Sequence, residues 1–172
     1  MKAVIVRPGQ DHELAQKVFE SSEEKERHFA ELYIRLHNYV AAIASLVDLG
    51  NAYVKAAGDS EFMAEQERRN KVVKDSNAGL VLRGLRNYML HNNVPDLEIT
   101  VARTLSPDQN RSTLHVDSEK LLLGWANWSS GAKKYLRSVT VVDLGELVDE
   151  YSQLAEDYYA WFWAQVEDPT GA

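Results

Sequence analysis

The sequence predicts a mainly α protein, an antiparallel helical bundle with one β-hairpin inserted near residues 97–117. Three observations lead there. Apolar residues recur at steps of three and four along most of the chain, the spacing of one helix face. Clusters of Gly, Pro, Asn, Asp and Ser cut that pattern into separate helices. Only between Leu97 and Val116 does the pattern change to alternation of apolar and polar residues. With 172 residues, 45% hydrophobic and 26% charged, the chain suits a single domain, 1–172, built around one core.

Residues 1–10 contain Pro8-Gly9 and are expected to be irregular or a single edge strand. Asp11 to Glu20 suits a short helix, the first piece of a helical part extending over 11–93. Ser21-x-x-Glu24 is a capping box, after which Phe29, Leu32, Leu36, Tyr39, Ile43, Leu46 and Tyr53 place one apolar stripe on a helix from Glu23 to Ala57. Gly58-Asp59-Ser60 ends it and offers caps to the next helix, Glu61 to Lys74, which is rich in charge and poor in apolar residues. The stretch 75–79 (Asp-Ser-Asn-Ala-Gly) predicts a break, because short polar side chains compete for backbone hydrogen bonds. The apolar pattern returns with Leu80, Leu82, Leu85, Met89 and Leu90, and Asn92-Asn93 followed by Pro95 supplies a stop.

Leu97, Ile99 and Val101 then alternate with polar residues, as do Leu114 and Val116, with turn-forming residues at 106–110 between them. Strands over 97–105 and 111–117 follow, and since two strands alone are marginal in water the hairpin should lie against the helices. The C-terminal helices occupy 118–168. One pattern starts at Ser118, another runs from Ser130 to Ser138, and the last begins at a cap on Thr140 or Asp143. Leu144, Leu147, Tyr151, Leu154, Tyr158 and Trp161 form its stripe, at heptad spacing suited to a bundle.

Composition narrows the function classes. The formal charge of −7 argues against an indiscriminate nucleic-acid binder. Without cysteine, disulfide scaffolds, thiolate zinc sites and cysteine nucleophiles are excluded. The apolar run Ala3 to Val6 is too short for a signal peptide, and no run of about 18 apolar residues exists. The expectation is a cytoplasmic protein with no membrane partner. His12, His28, His37 and His115 lack metal-type spacing with carboxylates, no phosphate-cradling glycine loop is present, and neither a metal nor a cofactor is expected. Gly84 interrupts a helical run at a cost of about 1 kcal/mol, which close approach of another helix would explain.

Charge is unevenly placed. Residues 68–91 carry Arg68, Arg69, Lys71, Lys74, Arg83 and Arg86 against Asp75 alone, whereas 143–168 carry eight acids and no Lys or Arg. Such a split either marks an anion-binding surface or lets two neighbouring helices neutralise each other. Within the basic segment, Arg86-Asn87-Tyr88-Met89-Leu90-His91 ends an apolar helix. Asn87 and His91, four apart, share a face, and the long Arg86 side chain can reach the same edge. A cation, a polar positioning group and an imidazole are what metal-free cleavage of an RNA phosphodiester requires. One imidazole does not readily serve as acid and base together, which two copies facing each other in a homodimer would resolve. The plainer reading is a histidine interacting with its helix dipole.

Arg86-Asn87-x-x-x-His91 resembles the Arg-x(4–6)-His signature of the HEPN superfamily, and Leu85 to His91 followed by Pro95 is similar to a motif of bacterial HEPN-like proteins. The likeness covers about residues 23–166, with its specificity in some ten of them. It implies a helical bundle that pairs two motifs in a dimer cleft, and a metal-independent endoribonuclease acting as a toxin or antiviral-defence effector. By position, Arg86 would hold the phosphate, His91 would be the acid/base and Asn87 would position the substrate, with Arg83 and Tyr88 as further substrate-binding candidates. RNA, a second copy and a protein antitoxin or regulator are the partners so implied. Other members of the family are non-catalytic binding modules, and that remains the alternative. Finally, Tyr158, Tyr159, Trp161, Phe162 and Trp163 cannot all face one core, so at least one of Tyr159, Phe162 and Trp163 should meet a second surface, an oligomer contact by preference or solvent otherwise.

Overall fold

A computed structural model describes residues 21–91, 95–102 and 111–167. The expected helix over 11–20, the segment 1–10, the Asn92-Asn93 stop and the hairpin turn lie outside the described residues, as do residues 103–105 of the first expected strand. The architecture is mainly α, a helical bundle carrying a small antiparallel sheet, as the apolar periodicity implies.

Helix α1 (Ser22–Ala57) opens on Ser21, whose hydroxyl accepts from the Glu24 amide at 3.3 Å, and closes on Gly58. There the chain turns through φ 72°, a left-handed conformation that glycine adopts without a side-chain clash. The expected α1 stripe drifts. Leu32, Leu36 and Ile43 are buried, but further along Gly50 and Val54 face the core, while Leu46 and Tyr53 lie exposed. A heptad pattern advances 3.5 residues per turn against 3.6 for a straight helix, so over five heptads the buried face rotates onto neighbouring positions. One window of α1 has mean hydropathy 1.2, long and apolar enough to cross a membrane by length and composition. Its buried residues nevertheless belong to the bundle core.

Helix α2 (Ser60–Asp75) is capped by Asp59, whose carboxylate accepts from the amides of Glu61 (2.9 Å) and Phe62 (3.0 Å). The expected break is a single residue. Ser76 ends α2 in an extended conformation, donates its hydroxyl to Val73 O and accepts from the Gly79 amide. It thereby starts α3 (Asn77–His91) three residues ahead of the apolar pattern.

Strands β1 (Leu97–Ala102) and β2 (Arg111–Asp117) pair antiparallel, with Leu97 opposite Val116 and Ile99 opposite Leu114. After α4 (Ser118–Gly124) and α5 (Ser130–Leu136), the short β3 (Val141–Asp143) joins β2, setting Val142 against Val116. The sequence pattern misses β3, because three residues are too few to show alternation. Asp143 also caps α6 (Leu144–Glu167), accepting from the Glu146 amide at 3.0 Å; Thr140 lies upstream of β3. Leu97, Leu114, Val116 and Val142 are buried in the same core as the helices, so the sheet lies against the bundle.

On α6 the buried face passes through Leu144, Leu147, Val148, Tyr151, Tyr158 and Phe162, leaving Leu154 and Trp161 half-buried. The heptad drift seen in α1 recurs here. Of the C-terminal aromatics, Trp163 is the one turned to solvent. Burial of Tyr159 closes its hydroxyl away without a hydrogen-bond partner among the described residues and pushes its pKa up.

Candidate functional site

Helix α3 is the central element, packing against α1, α2, α5 and α6. Ala78, Val81, Leu82 and Leu85 are wholly shut from water, and the last turn emerges from the bundle. Asn87, Leu90 and His91 are exposed there. The chain beyond α3 is tied back to α1 through Tyr33, whose hydroxyl donates to Pro95 O and accepts from the Leu97 amide at 3.4 Å.

A tryptophan pair braces this end of α3. Trp128 sets the Cζ3–Cε3 edge of its indole against Gly84, and its indole N–H donates to Leu121 O at 2.9 Å. The close approach that the sequence assigns to another helix is therefore made by an aromatic ring from the α4–α5 connection. Tyr88 stands between Trp128 and Trp125, with ring centroids at 6.3 and 6.4 Å. Trp125 in turn stacks on His91, the planes 5° apart and the centroids 6.0 Å apart.

Asn87 and His91 lie one helical turn apart on the open end of α3, as their spacing implies. Arg86 is half-buried beside them. Its Nε is sealed from solvent with no hydrogen-bond partner among the described residues. A buried guanidinium N–H in that state is uncommon, since leaving a charged donor unsatisfied is costly. The other two candidates are engaged in structure. Arg83 donates from Nε to Gly79 O at 3.0 Å and from Nη2 to Lys74 O, fastening the α2–α3 corner. Tyr88 is 8% exposed and fills the space between the two tryptophans.

The basic segment also divides. Glu65, just upstream of the 68–91 window, accepts from Arg68 at 2.7 Å and from Arg69 at 2.5 Å. The two guanidiniums hold the Glu65 carboxyl down to about 2. Arg69 further lies over the Trp161 ring on α6, 4.7 Å from its centroid. Acidic α6 packs on both α2 and α3, the neighbour relation that the neutralisation reading requires.

Two features escaped the sequence pattern. One is Trp125, placed against His91 by a connection whose path no periodicity describes. The other is an amide cluster joining buried Gln66 and Asn70 to exposed Asn51, in which Gln66 Nε2 donates to Asn51 Oδ1 (2.8 Å) and Tyr158 OH (3.1 Å), and Asn70 Nδ2 donates to Asn51 Oδ1 (3.3 Å). The i, i+4 spacing of Gln66 and Asn70 in a helix short of apolar residues was its available signal. These amides line a cleft of about 920 Å³ between α1 and α2, and a smaller cavity of about 200 Å³ touches Arg83 and Tyr151. Neither is lined by Arg86, Asn87 or His91. Among the described residues no group of three or more His, Asp or Glu side chains is placed to hold a metal. Of the other histidines, His28 is buried with its pKa lowered by desolvation, and His115 lies 3.6 Å from Glu98; His12 lies outside the described residues.

No family model matches the chain, and no curated protein or solved structure matches it at a significant level.

Proposed function

We propose that the open last turn of α3 cleaves RNA without a metal ion, in a homodimer that brings two such turns together. The observation that carries this reading is the Arg86 guanidinium, whose sealed Nε has no hydrogen-bond partner among the described residues, beside the exposed Asn87–His91 pair. In this reading Arg86 holds the scissile phosphate and the charge that develops on it. Asn87 fixes the neighbouring sugar or phosphate. The His91 imidazole takes the proton of the 2′-hydroxyl, and the second copy's imidazole protonates the departing 5′-oxygen. The 2′-oxygen then bonds to phosphorus as the P–O5′ bond breaks, leaving a 2′,3′-cyclic phosphate and a 5′-hydroxyl. The resemblance to HEPN ribonucleases supports the same roles, and with them a cytoplasmic toxin or antiviral-defence effector restrained by a protein antitoxin or regulator.

The decisive experiment incubates RNA with the purified protein in EDTA, beside Arg86→Ala and His91→Ala. Cleavage by the wild type and its loss in both variants is the expected result, with a fall of at least about 100-fold for the imidazole. Cleavage that EDTA abolishes, or that survives both substitutions, would remove the reading.

One observation favours a second reading, a non-catalytic interaction module. His91 stacks on Trp125, and the Trp125 indole N–H is sealed without a partner among the described residues, so the imidazole has a packing role open to it. In that case His91→Ala lowers the melting temperature or dissociates the dimer, and the wild type has no nuclease signal to lose.

A further inference from the structure

The geometry points to a second binding site, independent of the α3 turn: we propose that the cleft between α1 and α2 binds a short acidic peptide segment of a partner protein. Its floor is a pair of buried amides hydrogen-bonded to Asn51. Gln66 and Asn70 are 5% and 4% exposed, and both Nε2 hydrogens of Gln66 are spent on Asn51 and Tyr158. That arrangement turns Gln66 Oε1 and Asn70 Oδ1 into acceptors with no protein partner among the described residues. Neither oxygen is sealed, so both open onto the cleft. Two carboxamide oxygens fixed in a groove ask for N–H donors, which a peptide backbone supplies at regular intervals.

The rim selects charge. Lys55 on the last turn of α1 and Lys71 and Lys74 further along α2 all line the cleft, and none of the three takes part in an ion pair among the described residues. Glu67 and Asp75 also line the cleft, leaving a surplus of one cation. A modest surplus suits one or two carboxylates and disfavours a polyanion such as RNA. Every lining side chain is aliphatic, thioether, amide, hydroxyl or charged; with no aromatic ring the cleft offers a nucleobase nothing to stack on. Its volume of about 920 Å³ is ample for a few residues of extended chain.

The test is fluorescence anisotropy of the full chain with labelled Gly-Glu-Glu-Gly, with Gly-Gln-Gln-Gly as the uncharged counterpart. The acidic peptide should bind about tenfold more tightly than the neutral one, and that gap should close at high salt. Combined Lys71→Glu and Lys74→Glu should abolish the preference while helix content by circular dichroism is retained. Should that variant fail to fold, Lys55→Gln, on an exposed residue, must weaken the acidic peptide by about threefold. Asn70→Ser should weaken both peptides equally. Equal affinity for the two peptides, a preference untouched by the lysine changes, or stronger competition from 5′-AMP than from the unlabelled acidic peptide would overturn the proposal.

Discussion

Replacing Gly84 by alanine sets two effects of opposite sign against each other, and the structure decides between them. In an exposed helix interior, Ala is favoured over Gly by about 1 kcal/mol. Here a β-carbon at position 84 would overlap Trp128 Cζ3 and Cε3, well inside the 3.0 Å that real β-carbons essentially never breach, with Cη2 at 3.4 Å. The ring cannot easily give way. It is 3% exposed, its indole N–H is held by Leu121 O, and Tyr88 backs it. Overpacking of a tight core costs typically about 1–3 kcal/mol, and a rigid ring puts this site at the upper end. Subtracting the propensity gain leaves Gly84→Ala about 2 kcal/mol less stable, or about 4–8 °C in Tm for a chain of this size. Differential scanning calorimetry with a urea melt measures both. The same Ala placed in a Trp128→Leu background should be neutral or stabilising, since the overlapping atoms are gone. A single Gly84→Ala variant as stable as the wild type would refute the packing argument.

Arg83→Met keeps the aliphatic stem but removes the donors to Lys74 O and Gly79 O, and should cost about 1–3 kcal/mol in urea unfolding. An unchanged midpoint would mean that the corner does not depend on the guanidinium. Asp143→Ala removes the N-cap of α6 and should lower stability by about 1 kcal/mol, whereas Thr140→Ala should cost less than half of that. His28 is held below its ordinary pKa of 6.5 by burial, partly offset by Glu31. Its neutral form is therefore the one the fold prefers. As pH falls through 6.5, the unfolded chain takes up a proton the native state refuses, and stability drops until the lowered native pKa is reached. Urea midpoints between about pH 7.5 and 5.5 should fall in the wild type and flatten in His28→Phe; parallel slopes would count against it.

The sequence by itself determined the local elements. The capping box at Ser21, the Gly58 terminator, the alternation around Leu97 and Val116 and the stripe beginning at Leu144 are short-range signals written in neighbouring residues. The same holds for the Asn87–His91 pair, because helical spacing alone puts both on one open turn. Tertiary structure decided what such signals do not contain. It rotated the buried faces of α1 and α6 from Leu46, Tyr53 and Trp161 to Gly50, Val54 and Phe162, because a straight helix outruns a heptad repeat. It drew residues 141–143 into the sheet through pairing with β2, which lies more than twenty residues upstream. It committed Arg83 to backbone carbonyls and Tyr88 to the tryptophan brace, left Arg86 Nε without a partner among the described residues, and set Trp125 against His91. Those assignments depend on distances between segments remote in sequence. Periodicity reports which face of a helix is apolar, but only packing determines what that face meets.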